Sequence, residues 1–540
     1  MLRWPPFLAL ILLLALVFGL LVTANSAGYR FGISDQAFYI PAIDLWRWPD
    51  LFPRDRLLLE PQARWTVIDE ALGWICRATG LSLEPLFLLA YACTIVTFTA
   101  GVALVGRPLF RSPWAIVCLT VALSLRHRIP ETAANTFERY FHPRVLAFAI
   151  GLVGVGLLLH RQRALALAVS ALAVAVHPTT GGWFLVCLGA AAWVMAPVRT
   201  RWIAGIAGAA MLLLTALAAR DELAAGLTIM DPAWTAAFSN RDYVFPLSSW
   251  SVGTWLSLLV SPAIVVAAAL WRQRIGECSP SERAIAVGAL SLFGVFLLSL
   301  PFMAARVALA IQLQTSRVFW PIEFLATAYM VWVVAEAPWT VKPVAARARI
   351  LVAVLLVAAA ARGFYVLRIE HDNPLVAVGL QRTEWQRLGR WIAASTPRDA
   401  HFLVHPEHVY RYGSSFRVVA QRDVLLEAVK DRAMALYSRD AAIRLEERLQ
   451  AARDLAVLDE SRITLLARKF DLDYLVTERE LDFRLVHREG ALRLYRLADV
   501  TRPAVAAGRR SRRPLRAPGQ AARIAQPSPQ GLVLSGRRLD

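Results

Sequence analysis

Residues 6–24, PFLALILLLALVFGLLVTA, carry no charge and a single hydroxyl. A helix of about 20 such residues crosses the roughly 30 Å hydrocarbon core of a bilayer. Lipid leaves backbone polar groups no partner outside the segment, so such a run must satisfy them internally as a helix. Ten further apolar runs follow, near 84–106, 112–126, 144–160, 163–177, 181–197, 202–219, 253–271, 284–304, 318–337 and 347–367. The third and fifth are short. With 57% hydrophobic and only 18% charged residues and a mean hydropathy of +0.47, the chain is no ordinary soluble globule. The pattern predicts an α-helical polytopic membrane protein of about eleven transmembrane helices. Arg3 before the first run and small residues at Ala24 to Ala27 also fit a cleaved signal peptide, but the run is long enough to stay as a span.

The net charge of +19 would suit a nucleic-acid partner, yet its distribution excludes that reading. Nine arginines against one aspartate lie in the Pro/Gly/Ala-rich tail 501–540, which reads as disordered. Many others fall in alternate short connections: Arg107 and Arg111; Arg161 and Arg163; Arg199 and Arg201; Arg272, Arg274 and Arg283; Lys342, Arg347 and Arg349. Short loops rich in Arg and Lys stay in the cytoplasm. The intervening connections, 25–83, 126–143, 178–180, 220–252 and 305–317, are mixed in charge and face outward on this rule. The N-terminus is then cytoplasmic and everything beyond about 368 extracytoplasmic.

Residues 368–500 change character. TEWQRLGRWIAAST (383–396) and RITLLARKF have helical spacing, whereas HFLVHP (401–406), YLVT (474–477), RLVH (484–487) and LRLYRL (492–497) read as strands. The organisation expected is a membrane domain over 1–367, a soluble α/β domain over 368–500 and a basic tail over 501–540. Five cysteines without a CxxC pair indicate neither a disulfide framework nor a zinc site.

The polar clusters collect at the outward ends: GISDQAFYIPAIDLWRWPDLFPRD (32–55), NTFERYFHPR (135–144), HPTTGG (177–182), SNRDY (239–243) and QLQTSR (312–317). Asp35 admits two readings. One is a helix N-cap before the apolar face Phe38, Ala42, Leu45 and Trp46. The other is a general base whose pKa is raised by a partly dry cleft. Asp55, beside Arg54 and Arg56, reads as a solvated loop pair. Glu138 and His142, four apart, suit one helix face as an acid/base or weak metal pair, although Pro143 and the neighbouring Arg139 and Arg144 oppose it. His177 suits capping or a phosphate or sugar contact. Arg317, near Gln312 and Gln314, suits either a headgroup or bidentate binding of a lipid-linked phosphate. The histidines 401, 405 and 408 lack the spacing of a metal site.

These motifs, in this order, resemble bacterial GT-C-type integral membrane glycosyltransferases of an uncharacterised branch. The resemblance is carried by Ser34-Asp35-Gln36 with Pro41 and Ile43, Phe141-His142-Pro143-Arg144, His177-Pro178, and Gln314 with Arg317. The soluble segments WIAASTPRDAHFLV and FDLDYLVTE extend it. It implies a GT-C-like fold in the bacterial inner membrane, a sugar donor on polyprenyl phosphate, and inverting transfer on the outer face to a glycan, lipid or protein acceptor. Asp35 matches the acidic residue of the first outer loop, as base or acceptor-orienting group. Gln36, Glu138, Arg139, His142, Arg144, His177, Gln314 and Arg317 are then the substrate-binding candidates. Metal dependence varies within the class and none is assigned, because Gln36 stands where several relatives have a second acid. A lipid or glycan flippase and a catalytically silent envelope scaffold are the competing readings. Against ion-coupled transport, the apolar helices hold almost no mid-membrane charge.

Overall fold

The computed structural model describes residues 4–63, 66–238, 244–338, 344–380, 382–453, 455 and 457–497. The SNRDY stretch and the basic tail lie outside the described residues.

Each of the eleven apolar runs is helical: Trp4–Asn25, Leu83–Leu109, Pro113–Leu123, Pro143–Leu159, Arg163–Val176, Pro178–Met195, Val198–Ala218, Val252–Arg274, Pro280–Ala304, Phe319–Ala335 and Val344–Phe364. Among the described residues, seven helices are long and apolar enough to cross a membrane. Of the other four, Pro113–Leu123, Pro143–Leu159 and Arg163–Val176 are short, with 11, 17 and 14 residues. At 1.5 Å per residue these reach roughly 16, 26 and 21 Å, against a hydrocarbon core of about 30 Å. The causes are local. Ser124 turns its hydroxyl back onto the carbonyl of Val121 (2.7 Å) and ends the first of them. Pro143 opens the second, and Pro178 breaks the third at His177.

Close packing of the bundle rests on small residues, as expected where lipid removes the hydrophobic drive between helices. A Cβ on Gly181 would stand 2.2 Å from the backbone nitrogen of Val174, and one on Gly288 would stand 2.3 Å from the carbonyl oxygen of Cys187. The first contact folds Arg163–Val176 against Pro178–Met195; the second seats Pro280–Ala304 on that pair.

The two ends of the bundle differ chemically. At one end Glu336 accepts the backbone N–H groups of Arg111 (2.9 Å) and Ser112 (2.8 Å), and Arg272 pairs with Glu282 (2.5 Å). At the other end the loops read as outward converge and carry the C-terminal α/β region. Strand β1 (Tyr29–Arg30) precedes an antiparallel hairpin of β2 (Arg128–Ile129) and β3 (Ala134–Asn135), and β1 pairs in parallel with β4 (Val376–Ala377). The remaining strands, β5 (His401–Leu403), β6 (Asp423–Val424), β7 (Tyr474–Thr477), β8 (Arg484–Glu489) and β9 (Leu492–Arg496), form one sheet in the order β6-β5-β7-β9-β8. Its β5 pairs in parallel with β6 and β7, and the other pairings are antiparallel.

Strand alternation sends Phe402, Val476 and Leu494 to one face, against the helix Glu384–Ser395, and Leu403, Leu475 and Tyr495 to the other. The second core also takes in Met230, Trp234, Phe238 and Ile311 from two membrane-region loops. Trp234 donates its indole N–H to the carbonyl of Ala435 (2.8 Å). The sheet is therefore built into the loop end of the bundle.

Charge completes this junction. Arg417 is wholly buried and donates to Asp55 (2.8 Å) and to Asp431 (2.7 Å), while Arg444 also reaches Asp55. Asp55 is equally buried, so the expectation of a solvated pair with Arg54 and Arg56 is corrected. Burial pushes its carboxyl up, but the opposing guanidinium charges of Arg417 and Arg444 win and hold it far below the usual carboxylate range. Removing one partner of a buried pair strands the other, at about 3–5 kcal/mol. Asp55→Ala should lose that much stability in chemical unfolding of the purified protein and expose the C-terminal region to limited proteolysis.

Asp44, on the helix Gln36–Arg47, accepts a bond from Gln421 (2.8 Å), while its buried Oδ1 accepts no hydrogen bond among the described residues and has Arg47 at 3.8 Å. Burial pushes its carboxyl up to about 6, against the Gln421 bond and Arg47. A folded-state pKa above the unfolded one makes the fold lose stability as pH rises from about 4 to 6. Asp44→Asn should therefore stabilise at pH 8 by up to about 3 kcal/mol, with the gain vanishing below about pH 4 in thermal melts.

Candidate functional site

The loop of Asp35 turns sharply: Ser34 has φ +51°, and the helix Gln36–Arg47 begins immediately after Asp35. Asp35 occupies the N-cap position, yet its side chain accepts no bond from that helix, which corrects the capping reading. Its carboxylate instead faces away toward two other segments. Oδ2 accepts from His142 Nε2 (3.2 Å) and from the Tyr140 hydroxyl (3.5 Å), and Oδ1 accepts from Lys430 Nζ (2.9 Å). The Asp35 side chain remains 34% exposed.

His142 caps the helix Pro143–Leu159 through Nδ1, which accepts the backbone N–H of Arg144 (3.0 Å). With Nδ1 an acceptor, the neutral ring carries its proton on Nε2, aimed at Asp35. Desolvation and the nearby Arg144 keep the ring neutral by lowering its pKa, against the pull of Asp35. For Asp35 desolvation acts upward, but Lys430, then the His142 bond, then Arg144 overcome it and hold the carboxyl well below its ordinary value. The expectation of a raised pKa is thus reversed. An ammonium 2.9 Å away outweighs partial burial.

His177 caps the helix Pro178–Met195 by accepting the Thr180 N–H (3.3 Å), and its ring centre lies 6.3 Å from that of His142. Burial, then His142, Arg317 and Arg144, depress its pKa, so this ring is neutral too. Arg317 donates to the carbonyl of Thr132 (3.3 Å) on the same side. Gln314, at φ +49°, donates to the Tyr437 hydroxyl (3.1 Å), seven residues beyond Lys430. The Tyr39 ring packs edge-on against His142, 5.4 Å between centres.

Asp35, His142, His177, Arg317 and Gln314 thus converge from four separated loops. Gln36 does not join them as a polar wall. It is fully buried, accepts from Gly32 N–H (2.6 Å) and donates to the carbonyl of Phe141 (3.1 Å), which joins the Asp35 loop to the His142 segment. Glu138 is not on a helix with His142, which corrects that pairing: residues 136–142 are irregular. Glu138 pairs with Arg144 (3.0 Å) and accepts from Asn135 (3.0 and 3.1 Å). Arg139 has Arg126 and Arg30 as its cationic neighbours.

Lys430 was not legible as a site residue, being 395 positions from Asp35. Its placement follows from its neighbour Asp431, which Arg417 and the backbone N–H of Glu427 (3.0 Å) fix. Among the described residues no group of three or more His, Cys, Asp or Glu side chains converges to hold a metal ion. Two cavities of about 130 and 650 Å³ lie elsewhere, lined by His405, Arg411 and Glu478 and by Glu84, Arg390 and Gln421.

Residues 383–429 match a family model described as "Domain of unknown function (DUF6798)". The match contains Arg417 and ends immediately before Lys430. No curated protein matches the chain. Among solved structures, the chain is similar to the archaeal oligosaccharyltransferase AglB from Archaeoglobus fulgidus, in complex with an inhibitory peptide and a dolichol-phosphate. That similarity has 14% identity and a TM-score of 0.43, over 88% of this chain and 70% of the other.

Removing the ammonium should let desolvation dominate. In Lys430→Gln the Asp35 carboxyl should protonate at higher pH than in the wild type, followed by infrared titration of the carboxyl band, with Asp35→Asn identifying the signal. An unchanged titration would show that Lys430 does not govern Asp35.

Proposed function

We propose that this chain is a GT-C-type glycosyltransferase that moves a sugar from a polyprenyl-phosphate donor to an acceptor at the outer face of the membrane. The observation that carries the reading is one carboxylate held between a neutral imidazole N–H and a lysine ammonium, beside Arg317, at the loop end of an apolar bundle.

The chemistry asks for little else. The acceptor O–H attacks the anomeric carbon and a new C–O bond forms. The bond from that carbon to the phosphate oxygen breaks, with its electron pair leaving on the phosphate. Asp35 takes the acceptor proton, and Lys430 and Arg317 meet the charge on the departing phosphate. In the resting site Lys430 suppresses the basicity of Asp35. A phosphate that draws the ammonium toward itself frees the carboxylate, so donor binding prepares the base. His142 keeps Asp35 oriented throughout, and Tyr39 and His177 supply walls for the sugar.

Asp35→Asn preserves shape but cannot accept a proton. Assayed with a short-chain polyprenyl-phosphate sugar and a panel of hydroxyl acceptors, it should lose roughly 10²–10⁴-fold in turnover, the usual range for a general base. Transfer at wild-type rate by Asp35→Asn would eliminate Asp35 as the base. Lipid translocation by a wild type that transfers no sugar would favour a flippase instead.

A further inference from the structure

Beyond the Glu138–Arg144 pair lies a second group of cations that the transfer chemistry leaves unused. Arg30 sits on β1 and donates its backbone N–H to the carbonyl of Arg139 (2.9 Å). Arg126 donates Nε to the carbonyl of Phe137 (3.0 Å), two residues before Arg139. Arg362, in the last turn of Val344–Phe364, donates to the carbonyl of Arg126 (3.0 Å) and to Asn25 (2.7 Å).

The acceptors around these four guanidinium groups are almost all neutral. Arg30 gives Nη2 to the side chain of Asn373, while its Nη1 is buried without a partner and the residue is only 8% exposed. The Arg139 side chain makes no hydrogen bond among the described residues. Glu138 approaches Arg126 at 3.7 Å, but it already holds Arg144 at 3.0 Å. Arg30 is the buried member of the group, Arg126 and Arg139 are half-buried and Arg362 is exposed; taking a cation such as Arg30 out of water without a counter-charge is unfavourable. Burial, then Arg126 and Arg30 as neighbours, lower the pKa of Arg139 against the smaller pull of Tyr140 and Glu138.

We propose that Arg30, Arg126 and Arg139 form a binding site for a phosphate group, separate from the Asp35 site, which seats the headgroup of an anionic phospholipid. Guanidinium groups match phosphate oxygens in fork geometry. The apolar surroundings favour a lipid source. The two helices that end at this cluster expose Leu16 and Leu20 on one and Val354, Val357 and Phe364 on the other, a flank on which acyl chains can lie. The headgroup supplies the missing negative charge at the junction of the membrane helices with β1 and β4, so the lipid stabilises this joint.

The full-length protein in detergent, titrated with short-chain phosphatidylglycerol under native mass spectrometry, should bind one such lipid in preference to phosphatidylcholine. Arg139→Gln should weaken that binding by about tenfold, the value of one charge-assisted hydrogen bond. Arg139→Lys should keep part of the affinity. Because the Arg139 side chain has no hydrogen bond to lose, Arg139→Gln should melt no lower than the wild type without lipid. Inorganic phosphate that competes with phosphatidylglycerol would show that any phosphate group suffices; no competition would show that the chains contribute. Equal phosphatidylglycerol affinity in wild type and Arg139→Gln, or a lower lipid-free melting point in the variant, would overturn the site.

Discussion

The buried guanidinium of Arg417 is the constraint on which the arrangement of the site depends. A fully desolvated cation is tolerable only if its carboxylate partners are fixed in good geometry. The partners here are Asp55, in the first long loop, and Asp431, within the C-terminal region. One ion triad therefore joins segments more than 360 residues apart and sets the register between them. Asp423 strengthens the same joint by accepting the backbone N–H groups of Arg54 and Asp55, both at 3.0 Å. Lys430 is the neighbour of Asp431, so holding Asp431 also delivers the ammonium to Asp35. A stability device and the electrostatics of the candidate site are in this sense one structure.

Much of the architecture could be read from the sequence because it depends on short-range signals. The apolar runs are helices where the pattern places them, and Pro178 and Ser124 cut short the ones that looked short. The helix Glu384–Ser395 and the strands β5, β7, β8 and β9 follow from periodicity, with Thr383 capping the helix through its side chain (3.3 Å to the Gln386 N–H). The convergence of His142, His177 and Arg317 on Asp35 was foreshadowed by their common place at alternate helix ends. That regularity comes from the up-and-down order of consecutive helices and needs no tertiary detail.

The illegible part is what lies across long sequence separations. Nothing near Asp55 reveals that its partners are Arg417 and Arg444, and its local arginines suggested the wrong ones. Spacing suggested a helix for Glu138 and His142, but Asn135 and Arg144 satisfy the carboxylate in an irregular loop. Asp35 shows the same failure in energetic form. Partial burial argued for a raised pKa, and only the placement of Lys430 reverses the sign. In each instance a charged side chain had several eligible partners, and the folded arrangement decided among them.

This reversal bears on how such a site can work. A carboxylate that was strongly basic at rest would take its proton from water before any acceptor arrived. One quenched by an ammonium stays ionised and inert until something competes for that ammonium, and a phosphate-linked donor is such a competitor. The interaction given up and the interaction gained are both charge-assisted, so the exchange is nearly balanced in the ground state. What would differ is the transition state of the proposed transfer, where negative charge grows on the phosphate oxygen and the proton is in flight to Asp35. Lys430 then interacts more strongly with the phosphate as Asp35 loses its charge, so the lysine favours the transition state over the resting pair. On the proposed reaction, the geometry that makes Asp35 look like a poor base in isolation is therefore the geometry that would tie its basicity to the presence of donor.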